Sequence, residues 1–223
     1  VLSHNMDGIM RGTGAIISLN SDAEQNIVIK DKASTHYSFS KGSTQQNYPN
    51  SLMGAVALLK QSFLDADWYF QNKGKINEVN LSLEAINNNK SLPKIIEVRD
   101  KIRVLLAQKV GREMNYDFKI KGTGDEYQRL NEIKKNKSKL IVPINFPKAY
   151  NVDDPFKNSN LSLSQLKHWE IAPSNFFFLE SQGIDFSITT NGLSNLRDFR
   201  KNLIKSLNRG VSKEILLKSL TYN

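Results

Sequence analysis

Short apolar runs alternate with longer amphipathic stretches along the sequence after Pro93. The runs have the length of strands, and the stretches between them carry apolar residues at the three- and four-residue spacing of helices. Strands that alternate with helices of about ten to fifteen residues form βαβ units with parallel strands. We therefore predict an α/β fold, first as a partial TIM-type (β/α) barrel and second as a doubly wound sheet. The predicted strands cover 94–98, 118–121, 140–145 and 185–190. Ser174 is the predicted N-cap of the helix before the last of these strands, and Ser212 is the predicted N-cap of the final helix.

The N-terminal part of the chain is β-rich instead. Apolar runs at 15–19 and 26–30 enclose a polar loop, which predicts a hairpin-like pair of strands. Residues 31–50 are polar and predict a long loop. Ser51 is the predicted N-cap of a helix that follows it. No repeat or linker divides the sequence, so we treat 1–223 as a single domain segment.

Composition limits the possible functions. A chain of 223 residues can bury a hydrophobic core, and the absence of cysteine excludes disulfides and thiolate chemistry. No apolar run has the length of a membrane span, so we expect no membrane partner. The net charge of +9 leaves a basic anion-binding module as one alternative. The basic residues are spread along the chain, which favours solvated helix faces over nucleic-acid binding.

Catalytic side chains of a barrel lie at the carboxyl ends of its strands. None of the predicted strands after Pro93 ends in a histidine. The polar residues that remain near these ends are Lys121, Glu126 and, before a later helix, His168. They are candidates for acid–base chemistry without a metal. The alternative for Glu126, and for Asp125 before it, is a carboxylate in the first turn of a helix, where negative charge is favoured.

Three further residues are candidates for binding. Arg11 lies among three glycines, which could form an anion-binding loop or a tight turn. Val1-Leu2 is predicted as the tail of a strand, and His4 lies at the end of that strand. Asn191 follows the last predicted strand. The three histidines of the chain share no metal-ligand spacing, so we assign no metal ligands.

The segment from Gly183 to Asn223 resembles the closing segment of metal-dependent amidohydrolases of the imidazolonepropionase-like type. In that family the corresponding strand ends in Thr-Asp, and the aspartate holds a catalytic metal ion. The matching residue here is Asn191. The resemblance also places Glu97 and Lys121-Gly122 where the family has metal-ligand histidines. The family's zinc or other divalent metal is therefore not supported by these residues, and we expect no cofactor.

Four motifs resemble a subgroup of large exported Bacteroidetes proteins with two amidohydrolase-like halves. They are Asp-Gly-Ile-Met-Arg-Gly-Thr-Gly at 7–14, Asn-Tyr-Pro-Asn-Ser-Leu-Met-Gly at 47–54, Gly-Asp-Glu-Tyr-Gln-Arg at 124–129 and Leu-Lys-His-Trp-Glu at 166–170. The chain resembles the degenerate N-terminal half, without the family's first barrel strand and small β domain. The resemblance implies an exported or periplasmic origin, and a partner that is the rest of a longer chain or a second amidohydrolase half.

Three functional hypotheses follow. The first is an amidohydrolase-like domain, of a class that hydrolyses C–N bonds other than ordinary peptides, that has lost its metal site and acts as a structural or ligand-binding lobe. The second is an altered hydrolase that works without a metal through Lys121, Glu126, His4 or His168. The third is the basic anion-binding module.

Overall fold

The computed structural model describes residues 1–19, 27–75, 77–153 and 159–222. These residues form two compact units. The first consists of Val1–Glu97 and Lys109–Lys119, and the second of Val98–Gln108 and Ile120–Asn223. The described strands are β1 (Leu2–Ser3), β2 (Met10–Ile17), β3 (Val28–Ser38), β4 (Lys94–Glu97), β5 (Phe118–Lys121), β6 (Leu140–Pro143) and β7 (Phe186–Thr189). The described α-helices are α1 (Leu52–Asn72), α2 (Leu81–Asn88), α3 (Lys101–Met114), α4 (Leu130–Lys135), α5 (Leu163–Ile171), α6 (Asn175–Ser181), α7 (Asp198–Asn208) and α8 (Lys213–Thr221).

The first unit contains the β-rich N-terminal part, with strand order β1-β2-β3-β4. β1, β2 and β3 are antiparallel neighbours, whereas β3 and β4 are parallel from Thr35↔Lys94 to Ser38↔Glu97. The predicted hairpin is present, but both strands are longer than expected. Residues 31–38, predicted as loop, belong to β3 because β2 and β4 pair with its two edges. Part of the other predicted strand, residue 26, lies outside the described residues.

The glycine-rich stretch from 8 to 14 is mostly strand rather than a loop. β2 begins at Met10 and contains Gly12 and Gly14, and its register with β3 shifts before Gly12 and again after Gly14. Gly12 has a φ of 80°, a conformation that glycine adopts without steric strain. β-Bulges therefore accommodate these glycines within the strand.

The helices of the first unit cover its core. The Ser51 side chain accepts a hydrogen bond from Gly54 N at 3.1 Å, which confirms the predicted cap of α1. The fully buried Phe63 of α1 meets Tyr37 and Tyr116 edge-on, at ring-centre distances of 5.5 and 4.6 Å. Edge-to-face packing of this kind stabilises aromatic cores.

The second unit has strand order β5-β6-β7, with all neighbours parallel. Ile120 lies opposite Leu140, and Leu140 lies opposite Phe186. All three residues are at most 2% exposed, so these strands contribute to the hydrophobic core of the unit. Helices stand between successive strands, as the alternating pattern predicts.

The segment before β7 differs from the sequence-based expectation. The prediction that Ser174 caps the helix before β7 is wrong, because its side chain forms no capping hydrogen bond and a 3₁₀ turn, Ala172–Ser174, precedes α6. Gly183 follows α6 with a φ of 65°, as expected for a glycine that ends a helix. Phe176 is fully buried and stacks on Phe186 at 5.3 Å, whereas Phe177 is 39% exposed.

Among the helices that the structure describes, none combines the length and the apolar character needed to cross a membrane.

Candidate functional site

The loop after β5 folds back on itself. The Glu126 carboxylate lies directly against Gly122, so that a Cβ atom at Gly122 would overlap Glu126 Oε1. The same oxygen accepts hydrogen bonds from Thr123 N at 2.8 Å and Gly124 N at 3.1 Å. Gly124 has a φ of 92°, which lets the backbone make this tight turn. With Glu126 held in this place, the position after Lys121 has no room for a side chain.

Asn175 completes the surroundings of Glu126. Its Nδ2 donates to Glu126 Oε2 at 2.7 Å, while its Oδ1 accepts from Tyr127 N at 2.9 Å. Glu126 is fully buried and Asn175 is 1% exposed. Burial raises the pKa of Glu126 above its usual value of 4.5, whereas its N–H donors oppose that shift. Glu126, predicted as a catalytic candidate, thus lies inside a closed hydrogen-bond network and does not face solvent.

Asp125 has a different role from the predicted one in the first turn of its own helix. Its Oδ2 accepts from the backbone N of Lys101, the first residue of α3, at 3.2 Å. Its Oδ1 accepts from Thr123 Oγ1 at 2.7 Å. The carboxylate therefore lies at the N-terminus of a neighbouring helix, where negative charge is favoured.

His168 lies on α5 and contacts Tyr127. Tyr127 Oη and His168 Nδ1 are 3.1 Å apart, and the two rings are nearly parallel. Burial lowers the pKa of His168 from its usual 6.5 and raises that of Tyr127 from 10.0. Both shifts favour the neutral forms, in which the hydroxyl donates to the imidazole. The structure links His168 to Glu126 only through neighbouring residues, by way of Tyr127 and Asn175.

Lys121, the remaining catalytic candidate, ends β5 and is half-buried. Its carbonyl accepts from Val98 N at 3.0 Å, and its backbone lies opposite Ile141 of β6. The position is thus fixed by sheet pairing.

Asn191 lies in the loop after β7, and Asn145 lies in the loop after β6. Asn191 is exposed, and its backbone N donates to Thr189 Oγ1 at 3.3 Å. The next residue, Gly192, has a φ of 80°, and a Cβ there would lie 2.8 Å from Asn145 Nδ2. The two loops therefore pack against each other at a glycine.

Arg11 and Glu97 form an ion pair in the first unit. Arg11 Nη1 lies 2.7 Å from Glu97 Oε2, and the two side chains are 7% and 26% exposed. Arg11 Nε also donates to Gly8 O at 3.2 Å. Charge-assisted hydrogen bonds of this kind are strong when partly shielded from water. The guanidinium predicted to bind an external anion is thus bound to an internal carboxylate.

His4 stacks on His36, with ring centres 3.7 Å apart and planes at 10°. His36 Nε2 lies 2.8 Å from Ser34 Oγ, and a Cβ at Gly14 would come within 2.6 Å of the same ring nitrogen. Sequence spacing did not reveal this pair, because the two histidines lie at or beside separate strands. The pairing of β1 with β2 and of β2 with β3 brings them together.

The described residues of the two units do not assemble a recognisable metal-ligand set. In the described parts of the chain, no group of three or more His, Asp or Glu side chains is arranged to hold a metal ion. At the three positions where the resemblance expects ligands, the structure has an arginine-paired Glu97, a Gly122 without a donor and an exposed Asn191 amide. These residues do not fit a family-type metal site, which needs several converging donors.

Comparisons with known proteins give one informative likeness. No family model matches the sequence, and no curated protein matches it. The structure is similar to the crystal structure of an amidohydrolase from Thermotoga maritima MSB8, with a TM-score of 0.70 and 18% sequence identity. The likeness covers 95% of this chain and 56% of the Thermotoga chain, so this chain spans little more than half of that protein.

At this level of identity the likeness shows the fold. It confirms the α/β prediction of a partial TIM-type (β/α) barrel of the amidohydrolase type, with a β-rich N-terminal stretch.

Proposed function

We propose that this chain is an amidohydrolase-like domain that has lost its metal site and acts as a structural or ligand-binding lobe of a longer protein. The observation that carries the proposal is the arrangement at the end of β5. A metal-ligand histidine is expected there by resemblance, but the Glu126 carboxylate lies against Gly122. Three N–H donors hold that carboxylate, so it is not available as a ligand in its place.

Two other strand ends support the proposal. The Glu97 carboxylate is matched by the Arg11 guanidinium, a permanent cation that makes a metal's charge unnecessary at that position. The amide of Asn191 carries no charge and is a weaker metal ligand than a carboxylate. A catalytic metal needs several ligands and an open position for water, and these residues supply no such set.

For the longer protein we propose metal-dependent hydrolysis of a C–N bond other than an ordinary peptide, performed by a second amidohydrolase half. Support comes from the motifs at 7–14, 47–54, 124–129 and 166–170, and from a likeness that covers only part of a protein named as an amidohydrolase. The same resemblance supports a proposed exported or periplasmic location. Within this proposal, the second half is the partner of the chain.

Metal analysis of the purified chain tests the proposed function. The chain is incubated with excess Zn²⁺, dialysed and measured by elemental analysis, with Glu97→Gln as a matched variant. We expect substoichiometric zinc, and no difference between the two proteins. Stoichiometric zinc that is lost in the Glu97→Gln variant would show that this strand end still holds a metal, and the proposal would be wrong.

A further inference from the structure

A cavity of about 590 Å³ opens beside the carboxyl end of β6 in the second unit. Its volume lies within the range of about 300–1,000 Å³ that is typical of small-molecule sites. The walls come from the segments that follow β6 and β7, from one side of α7 and from Trp169 of α5. None of the residues that carry the proposed function lines it.

The charge of the cavity is positive. Among the described residues that line it, Lys148, Lys201 and Lys205 are basic and Asp198 is the one acid. Lys201 and Lys205 are four residues apart on α7, so their side chains project from the same face of the helix. Within the described residues, neither of these two lysines forms an ion pair. Both lysines are also exposed, so an external anion can reach them.

Apolar side chains form the remaining wall. Phe146, Trp169 and Ile204 line the cavity, and the last two are 37% and 48% exposed. Partly exposed apolar groups beside cations are suited to a ligand with an apolar body and a charged head. An apolar body would be shielded from water against these side chains.

Two contacts hold the cavity walls in place. Asn202 Nδ2 donates to Ile144 O at 2.8 Å, which ties α7 to the end of β6. Asn145 packs closely against Gly192 of the loop after β7. A wall fixed by such contacts needs little rearrangement on binding, which favours affinity.

We infer that this cavity binds a small organic anion with an aromatic or branched apolar body. The carboxylate or phosphate head lies between Lys201 and Lys205, and the body packs on Trp169 and Ile204. The inference rests on the ligand-binding part of the proposed function and names the ligand class. Zinc analysis tests the loss of the metal site, and ligand titration tests the cavity. The two experiments probe different residues, so either proposal can be refuted without the other.

Tryptophan fluorescence tests the inference directly. The chain has two tryptophans, so Trp68→Phe leaves Trp169 as the single reporter at the cavity. Phenylacetate and phenyl phosphate are titrated to compare the two kinds of head group. Two control compounds are titrated in the same way: phenylacetamide, which lacks the negative charge, and acetate, which lacks the apolar body. We expect saturable binding of at least one aromatic anion at millimolar concentrations or below, and weaker binding of both control compounds.

Charge variants on α7 show where the anion binds. Lys201→Gln and Lys205→Gln are each expected to weaken binding about tenfold, because each removes one charge-assisted contact. Arg200→Gln removes the same charge from an exposed position on the same helix, outside the cavity lining, and is expected to leave binding unchanged. Circular dichroism checks that each variant folds.

Three results would overturn the inference. The first is no saturable binding of either aromatic anion, and the second is phenylacetamide binding as tightly as phenylacetate. The third is an equal loss of affinity in Arg200→Gln and the two lysine variants, which would indicate general charge attraction instead of a site.

Discussion

The network around Glu126 predicts a specific effect of the substitution Glu126→Gln. The new amide keeps the size of the side chain and can still accept from Thr123 N and Gly124 N through one oxygen. Its N–H₂ group then faces Asn175 Nδ2, which is also a donor. Rotating the Asn175 amide removes that conflict but turns its N–H₂ group toward Tyr127 N, another donor. Either arrangement leaves one buried donor without an acceptor.

The expected magnitude follows from that single unmatched group. A buried donor without a partner costs about 1–3 kcal/mol of the free energy of unfolding. The site is fully buried, so water cannot compensate for the missing acceptor. We expect Glu126→Gln to lower the free energy of unfolding by about 2 kcal/mol, measured by urea denaturation followed by circular dichroism.

The substitution Asn175→Asp supplies the matched test. Alone, it brings two buried carboxylates together and is also destabilising. In the double variant, the new amide at position 126 donates to the new carboxylate at position 175, which still accepts from Tyr127 N. We expect the double variant to be more stable than either single variant, with a coupling free energy above about 1 kcal/mol. Additive losses in the double variant would refute the reasoning.

Three further predictions concern other contacts. Burial lowers the pKa of His168 below 6.5, so its contribution to stability is fully present above pH 6.5 and is lost as the pH falls below that value. His168→Asn, which retains an acceptor for Tyr127, should reduce this loss in urea denaturation between about pH 7.5 and pH 5; an unchanged pH slope would contradict it. Arg11→Met leaves the Glu97 carboxylate without its cation and should lower the free energy of unfolding by about 1–3 kcal/mol, whereas Arg11→Lys should lose less. A loss as large in Arg11→Lys would argue against a charge effect. Gly14→Ala places a Cβ 2.6 Å from a ring nitrogen on the neighbouring strand and should lower the melting temperature, while a neutral result would show that the ring moves freely.

Local signals in the sequence predicted much of the fold. The apolar runs and helical spacing after Pro93 correspond to β4, β5, β6 and β7 and to the helices between them. The caps at Ser51 and Ser212 are confirmed, since each side chain accepts from a backbone N–H three residues later. Such features depend on residues close in sequence, so periodicity and capping rules can identify them.

Where the sequence-based predictions were wrong or incomplete, the reasons are physical. Residues 31–38 are too polar to signal a strand, and their conformation depends on pairing with strands on both sides. Ser174 has the type of a cap residue, but α6 continues from a 3₁₀ turn and needs no such cap. The contacts of Asn175 with Glu126 and Tyr127 carried no signal at all, because no spacing rule links positions so far apart.

The sequence by itself determined which residue stands at each strand end. Where the resemblance expects metal ligands, the sequence has Glu97, Lys121-Gly122 and Asn191. These identities can be read without a structure. Only the tertiary structure decided what these positions contact. Glu97 meets a residue 86 positions away, and Glu126 meets one 49 positions away. Such partners depend on the path of the chain through the fold, because local propensities act only over a few residues.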